Sequence, residues 1–467
     1  MEERWNLIVI CADTFRADFL GCYGNEWIRT PNLDTFAEKS VIFKEAYAEG
    51  LPTIPARRVF FTGNRLFPKW RIVEHKGDPL GWQPGWHALE EEEITISEIL
   101  QDNGYITGFI TDVYHLFKPT GNFHRGFDSW EFIRGQEADP YVTGPRDTVD
   151  PARYLKTFKR ERRIHPLEQY LLNVRERKKE EEYFVARVMN KACKWLSDNI
   201  GNKPFFLWVD CFDPHEPWDP PREYADIYNK GYGGVEYIVS PGFEVPNPPE
   251  HLSFAPGGSV DYYSEDEVRR IRALYAGEVT LVDKWVGKLF EKIDELGLWN
   301  NTVVVFTSDH GTLLGEKGLI HKRAYELIKP ETRIPLVIWT PNGEKGEITA
   351  YVQSYDLTPT LLALLNVEKR PAMDGRNMWK LVEGEAESLH EYVITAYCSY
   401  LSIRNREWNY IVTYRTKNVP RVIGGRYLEP RLYKLDDDPQ EEVNVASMYP
   451  HIIEKMERIK DRIIGTM

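Results

Sequence analysis

Three short apolar segments of this chain lead directly into acidic residues or histidine. Runs of this length, rich in valine, isoleucine and phenylalanine, predict buried strands. The segments and the polar residues that follow them are 5–12 with Asp13, 204–209 with Asp210 to His215, and 301–308 with Asp309 and His310. A fourth run, residues 334–341, has the same composition. Strand ends that carry ionisable side chains indicate a functional edge of the sheet.

Amphipathic helical segments separate or follow these strands. The clearest span residues 95–105, 268–297 and 354–367, and two of them close with glycine. Strands that alternate with helices predict an α/β fold, a large mixed but mainly parallel sheet sandwiched by helices. Ligands bind beyond the carboxyl ends of such strands, so we expect the polar residues to converge there.

The pattern changes near residue 385. Residues 386–467 contain β-branched and aromatic runs typical of antiparallel strands, followed by an amphipathic helix at the end of the chain. We therefore predict a catalytic domain over residues 1–385 and a smaller C-terminal α+β domain over residues 386–467.

Charge and cysteine content limit the partners and the compartment. The 467 residues carry 59 Lys and Arg against 72 Asp and Glu, a net charge of −13, which argues against nucleic acid or an anionic membrane as the partner. The five cysteines form no CxxC pair, and the apolar runs are too short to span a bilayer. The first residues do not have a signal-peptide pattern. We expect a cytoplasmic protein.

Several ordered motifs resemble the sulfatase branch of the alkaline phosphatase superfamily. They are the opening "NLIVICADTFRADFLGCYG", then "LPTIPARRVFFTG", "DPHEPWDPP", "SDHGTLLGEKGLIHKRAYE", "SYDLTPTLLALL" and "LYKLDDDPQEEVNVA". The resemblance spans essentially the whole chain and implies an alkaline phosphatase-like fold. It also implies a metal-dependent ester hydrolase with a small anionic ester as its substrate.

Asp13, Asp309 and His310 are the candidate metal ligands. Carboxylates and imidazole at strand ends suit one divalent cation, Mn²⁺, Zn²⁺ or Ca²⁺, although "SDHG" alone is also typical of a capped turn. The resemblance implies that the Thr53 hydroxyl completes the coordination. Asp210 and His215 are five residues apart, whereas related two-metal enzymes use a spacing of four, so we expect one metal.

Thr53 occupies the nucleophile position of the family motif C/S-x-P-x-R. Sulfatases oxidise Cys or Ser there to formylglycine, but threonine bears a methyl group on its β-carbon, so no formylglycine is expected. A divalent cation beside a threonine hydroxyl lowers its pKa and makes it a competent nucleophile. The alternatives are that Thr53 caps the following helix or that the chain is catalytically silent.

Four further residues are candidate substrate-binding groups. Arg57 completes the Thr53 motif, and we expect it to face an anion together with a helix N-terminus. The resemblance implies that Lys322 neutralises charge on the transferred group and that His215 assists the leaving group. His321, next to Lys322, is an additional candidate for the pocket.

These residues predict a metal-dependent hydrolase of phosphate-type esters. An unmodified Thr53 favours phosphodiesters or phosphonate monoesters. The alternatives are a sulfatase acting on sulfate esters, a phosphoryl-group transferase, and a silent anion-binding relative. The sequence leaves the oligomeric state open.

Overall fold

A computed structural model of the chain describes residues 4–73, 80–118, 121–156, 158, 160, 162, 164–239, 263–368, 373–425 and 427–465. The strands are β1 (Asn6–Ala12), β2 (Val41–Phe43), β3 (Ala46–Tyr47), β4 (Gly50–Leu51), β5 (Ile106–Thr111), β6 (Ser129–Phe132), β7 (Phe205–Cys211), β8 (Thr302–Thr307), β9 (Arg333–Ile334), β10 (Leu336–Trp339), β11 (Gly346–Ile348), β12 (Val352–Gln353), β13 (Val393–Tyr397), β14 (Tyr400–Arg404), β15 (Trp408–Thr413) and β16 (Arg431–Lys434). The helices are α1 (Pro31–Ala37), α2 (Thr53–Thr62), α3 (Ile96–Asp102), α4 (Pro166–Val174), α5 (Phe184–Asn199), α6 (Arg222–Tyr228), α7 (Glu265–Glu295), α8 (Lys329–Thr332), α9 (Leu357–Leu364), α10 (Trp379–Val382) and α11 (Pro450–Gly465).

The central sheet has eight strands in the order β11-β2-β10-β8-β1-β7-β5-β6. Five neighbouring strands from β8 to β6 run parallel, and β10 pairs antiparallel with both of its neighbours. The predicted α/β class and the mainly parallel sheet are confirmed. The four apolar runs form β1, β7, β8 and β10 of this sheet.

Both faces of the sheet are covered, because the central strands are apolar on both sides. In β1, Leu7 and Val9 pack into the cluster that includes α2, α3 and α9. Ile8 and Ile10 pack into the opposite cluster with α5 and α7. Such continuous burial is typical of a parallel sheet inside a helical sandwich.

Local signals set the helix ends near the predicted positions. Helix α3 begins with a capping box between Thr95 and Glu98, and α7 begins with one between Ser264 and Glu267. Gly297, two residues beyond α7, adopts a left-handed φ of 64° that most residues avoid. The two capping boxes satisfy free N–H groups at the starts of α3 and α7.

The smaller sheet is formed mainly by residues 393–434 but also includes a strand from near the start of the chain. Strands β13 to β16 form antiparallel pairs, and β4 joins the edge through the pairs Ala396 with Gly50 and Tyr397 with Leu51. One apolar cluster continues from the central sheet into this region. The division at residue 385 remains a prediction, and β4 leads directly into α2 and Thr53.

In the described part of the chain, no helix is both long and apolar enough to cross a membrane. The cytoplasmic location remains a prediction.

Candidate active site

The three candidate metal ligands lie together at the carboxyl edge of the central sheet. Asp13 directly follows β1, and Asp309 and His310 follow β8 after one intervening serine. Because β1 and β8 are adjacent and parallel, their ends meet. One ligand atom from each residue lies within 4.8 Å of the other two, and all three side chains are buried.

The donor atoms of this group fit a divalent cation. His310 Nδ1 lies 2.8 Å from the Gly311 carbonyl oxygen and donates its hydrogen there, which leaves the Nε2 lone pair available. Among the described residues, His310 Nε2 makes no hydrogen bond, and Asp13 Oδ2 makes an ion pair with Arg57 Nη1 but accepts no hydrogen bond. Burial lowers the pKa of His310, so its imidazole is neutral, the form that binds metals.

Thr14 orients both carboxylates. Its hydroxyl donates to Asp13 Oδ1 at 2.6 Å, and its backbone N–H donates to Asp309 Oδ1 at 2.9 Å. Thr14 reaches this position with a φ of 60°, which is rare for a β-branched residue. This role of Thr14 was not predicted, because a left-handed threonine has no sequence signal.

Arg57 is fully buried among three carboxylates. Its Nε and Nη2 donate to the two oxygens of Asp210 at 2.9 and 2.7 Å. Its Nη1 lies 2.5 Å from Asp309 Oδ2, 3.0 Å from Asp13 Oδ2 and 3.3 Å from the Thr53 carbonyl oxygen. The guanidinium therefore neutralises carboxylates in this structure, rather than facing outward as expected for an anion-binding group.

The sequence predicts Asp210 only as a possible second-metal ligand, not as the partner of Arg57. Side chains alternate between the two faces of β7, and this alternation could have indicated the pairing. Phe206 and Trp208 pack on the α2 side, and Asp210 lies on the same face of the strand. Its register partner Cys11, on the neighbouring strand β1, packs on that side too. We call Asp13, Arg57, Asp210, Asp309 and His310 the strand-end cluster.

Thr53 is the first residue of α2, at the edge of the strand-end cluster. Pro52 holds the N-cap position without a side-chain cap, and the Thr53 side chain is 2 % exposed. The alternative role of Thr53 as a helix cap is therefore not observed. Arg57 lies one turn further along α2 and bonds back to the Thr53 carbonyl, which ties the start of the helix to Asp13 and Asp309.

Lys322 and His215 form a second cluster with Glu216. Lys322 Nζ lies 2.7 Å from His215 Nε2 and 3.2 Å from each carboxylate oxygen of Glu216. His215 Nδ1 lies 2.6 Å from the Glu216 carbonyl oxygen and donates to it, so Nε2 accepts from the lysine. Glu216 belongs to the motif "DPHEPWDPP", but its contacts were not predicted from the sequence.

His321 packs beside this group. Its ring stacks on Trp218 with centroids 4.5 Å apart and planes 2° from parallel, and its Nδ1 lies 3.5 Å from Glu216 Oε1. It is almost fully buried, at 1 % exposure. We call His215, Glu216, His321 and Lys322 the lysine cluster.

Electrostatics fix the charges of the lysine cluster. Burial lowers the pKa of His215 to about 4, the Lys322 charge also lowers it, and Glu216 acts in the opposite direction. Burial opposes the charged forms of Lys322 and Glu216, but neighbouring charges outweigh it, raising the lysine pKa and lowering the glutamate pKa. The cluster thus holds a neutral His215 between an ammonium and a carboxylate.

The two clusters are electrostatically connected. Burial, and then the Asp309 charge, raise the pKa of Asp13, whereas Arg57 and Lys322 lower it. Asp13 in turn contributes to the raised pKa of Lys322.

Comparisons with protein families agree with this architecture. The family model described as "Sulfatase" matches residues 5–367. A second model, described as "N-sulphoglucosamine sulphohydrolase, C-terminal", matches residues 315–465. The two matches together cover nearly the whole chain.

Individual relatives are distant but extensive. An arylsulfatase of Clostridium perfringens is 27 % identical over 95 % of this chain and 90 % of its own length. A multifunctional alkaline phosphatase superfamily protein, PehA, of Trinickia caryophylli is 27 % identical over 82 % of this chain and 78 % of its own length. The solved phosphonate monoester hydrolase of Agrobacterium radiobacter has a TM-score of 0.71 at 20 % identity, covering 98 % of this chain and 96 % of that one.

Proposed function

The chain belongs to the sulfatase family, and on that premise we propose that it is a metal-dependent hydrolase of phosphodiesters or phosphonate monoesters with Thr53 as its nucleophile. The observation that carries the proposal is Thr53 at the start of α2, in the nucleophile position of the family motif, tied through Arg57 to the carboxylates of Asp13 and Asp309. A threonine in that position provides a hydroxyl but cannot yield formylglycine.

Asp13, Asp309 and His310 would hold the cation, with the Thr53 hydroxyl as a fourth ligand. Two carboxylates and an imidazole suit Mn²⁺ or Zn²⁺, and Ca²⁺ if further oxygen ligands join them. When bound, such a cation lowers the pKa of a neighbouring hydroxyl and neutralises charge on a phosphoryl oxygen.

In the proposed reaction, the Thr53 hydroxyl loses its proton to solvent, and its oxygen forms a bond to phosphorus while the bond from phosphorus to the leaving oxygen breaks. Water then bonds to phosphorus, the bond from phosphorus to the Thr53 oxygen breaks, and that oxygen takes up a proton, which restores the hydroxyl. Arg57 has its donors committed to carboxylates, so we assign it the positioning of Asp13, Asp309 and Asp210. This replaces direct binding of the substrate oxygens as its main role.

Lys322 and His215 would serve the opposite end of the substrate. The hydrogen bond from Lys322 to a neutral His215 supports a shared role, because the proton on this pair belongs to the lysine. Lys322 can bind a substrate oxygen, and it can pass its proton to the departing oxygen directly or by way of His215 Nε2. His321, stacked on Trp218, would orient Glu216 and contact substrate at the periphery.

Sulfate-ester hydrolysis is the second candidate, and the names of the relatives favour it. The Clostridium perfringens relative is an arylsulfatase, and a chicken protein 24 % identical over 99 % of this chain is named arylsulfatase K. Transfer of the phosphoryl group to an acceptor alcohol is a variant of the first proposal. Silent anion binding would retain the pocket without turnover.

Replacement of Thr53 tests the proposal. We expect Thr53→Ala to lower kcat/KM for 4-nitrophenyl methylphosphonate by a factor on the order of 10³ or more, and Thr53→Ser to retain a hydroxyl and part of the activity. The panel should include bis(4-nitrophenyl) phosphate and 4-nitrophenyl sulfate, each with Mn²⁺, Zn²⁺ or Ca²⁺ and after chelation.

Each outcome selects a function. Mass spectrometry of the quenched wild-type enzyme should find a phosphoryl or phosphonyl adduct on the peptide that contains Thr53. Full metal-dependent activity of Thr53→Ala would refute the nucleophile assignment. Turnover of the sulfate ester alone would establish the second candidate, and products esterified to added glycerol would indicate transfer.

A further inference from the structure

Glu216 contacts every other member of the lysine cluster. Both of its carboxylate oxygens lie 3.2 Å from Lys322 Nζ, Oε1 lies 3.5 Å from His321 Nδ1, and Oε2 lies 3.4 Å from His215 Nδ1. Its side chain is 16 % exposed, so little solvent screens it. It places a negative charge against the cation that would meet the substrate.

We propose that Glu216 determines the charge preference of the site. It offsets Lys322, so that esters with one negative charge on the transferred group are favoured over esters with two. The inference rests on the proposed function and narrows its substrate class. Phosphodiesters, phosphonate monoesters and sulfate esters carry one such charge, whereas phosphate monoesters carry two at mildly alkaline pH.

The physical argument is the dependence of Coulomb energy on charge. A carboxylate repels a dianion twice as strongly as a monoanion at the same distance, and a poorly screened site keeps that difference large. Without Glu216, the unopposed Lys322 ammonium would attract the dianion more than the monoanion. Burial opposes the charged form of Glu216, but the Lys322 ammonium beside both of its oxygens holds its pKa below the ordinary value, so Glu216 stays ionised at neutral pH.

Glu216 also supports the geometry of the cluster. Its backbone carbonyl oxygen accepts the His215 Nδ1 hydrogen, and its side-chain carboxylate holds Lys322 in place. Loss of that support would slow all substrates alike, because the same Lys322 serves each of them. If Glu216 only supported the geometry, its loss would not change the selectivity between substrates of different charge.

Two substrates that differ by one charge test the proposal. These are 4-nitrophenyl methylphosphonate and 4-nitrophenyl phosphate, which share a leaving group and exchange a methyl group for a charged oxygen. We expect Glu216→Gln, which keeps a carbonyl oxygen for Lys322, to shift the ratio of their kcat/KM values toward the phosphate by a factor on the order of 10 to 100. Assays should be run at pH 8 with the metal-loaded enzyme.

Glu457→Gln is a suitable control. Glu457 lies on α11, is partly buried, and accepts hydrogen bonds from Tyr410 and Lys460 without any contact to the lysine cluster. Its substitution should leave the ratio unchanged. If Glu216→Gln slows both substrates equally and keeps their ratio, Glu216 only supports the geometry and the proposal is refuted.

A binding measurement separates this proposal from the hydrolase assignment. If the wild-type protein turns over neither compound, the proposed function fails, but calorimetric binding of phenyl phosphate and phenyl methylphosphonate still reports the charge preference. Glu216→Gln should then increase the affinity for phenyl phosphate, the dianion, relative to that for phenyl methylphosphonate, the monoanion, by a similar factor. Equal changes in both affinities would overturn the inference independently of catalysis.

Discussion

The strand-end cluster stands on the ends of central strands, whereas the lysine cluster stands on the segments that connect them. In the first, three carboxylates surround the single guanidinium of Arg57 in a fully buried setting. In the second, one carboxylate faces one ammonium, with two histidines beside them. In the proposed function, the first group holds the cation and the second meets the substrate anion.

The difference also predicts how each cluster tolerates change. Arg57 links β1, β7, β8 and α2, so the strand-end cluster is part of the fold itself. Breaking a buried, hydrogen-bonded ion pair costs about 3–5 kcal/mol of the free energy of unfolding. The lysine cluster lies outside the strands, so substitutions there should change rates and selectivity more than stability.

The largest effect is expected from Asp309→Asn, which removes a charged metal ligand. We expect the purified variant to retain less than one equivalent of divalent metal by elemental analysis, and kcat/KM to fall by a factor on the order of 10³ or more. Asp112→Asn is a suitable control, because burial raises the pKa of Asp112 and its carboxyl accepts a hydrogen bond from Phe212 N–H outside the metal group.

The control also supplies the contradicting outcome. Asp112→Asn should keep both its metal and its activity. If Asp309→Asn retains a full equivalent of metal, or if both variants lose metal to the same extent, the strand-end cluster does not bind the cation as described.

A smaller, substrate-dependent effect is expected from Lys322→Ala. If the Lys322–His215 pair protonates the leaving oxygen, the loss should be on the order of 10²–10⁴ for an alkyl ester and much less for a 4-nitrophenyl ester, whose leaving group needs no proton. Lys317→Ala is the control, because Lys317 lies on the same loop but its ammonium contacts the Tyr433 ring. This substitution should leave the ratio of the two rates unchanged. Equal losses on both esters would limit Lys322 to substrate binding.

The strand-end cluster was largely accessible from the sequence. Its ligands directly follow apolar runs, and parallel strands bring such ends to one edge, so local pattern and sheet logic locate Asp13, Asp309 and His310 together. Thr53 and Arg57 came from the family motif. The pairing of Arg57 with Asp210 joins residues 153 positions apart and depends on which face of β7 meets α2.

The lysine cluster was less accessible because its geometry is tertiary. Glu216 lies between a histidine and a proline, a context typical of a solvated loop residue, yet it contacts side chains more than 100 positions away. The pairing of β4 with β13 joins positions 346 apart through two residue pairs. The segment that contains Glu216 and the two-residue strand β4 are both too short to show a periodic sequence pattern.

The smallest effect concerns stability against pH. Burial holds the pKa of His215 at about 4, below the ordinary value of 6.5. Between these two values the unfolded chain binds a proton that the folded protein excludes, so stability should be lost as the pH falls from 6.5 to 4. The shift corresponds to about 3 kcal/mol of unfolding free energy.

Urea denaturation of the chelated wild type and of His215→Gln, carried out between pH 4 and 6.5, tests this prediction. The free energy of unfolding should depend less steeply on pH in the variant than in the wild type. His451→Gln, which removes an exposed histidine of α11, should keep the wild-type slope. A His215→Gln slope equal to that of the wild type would mean that His215 takes up a proton in the folded protein, and the lysine cluster would then carry two cations instead of one.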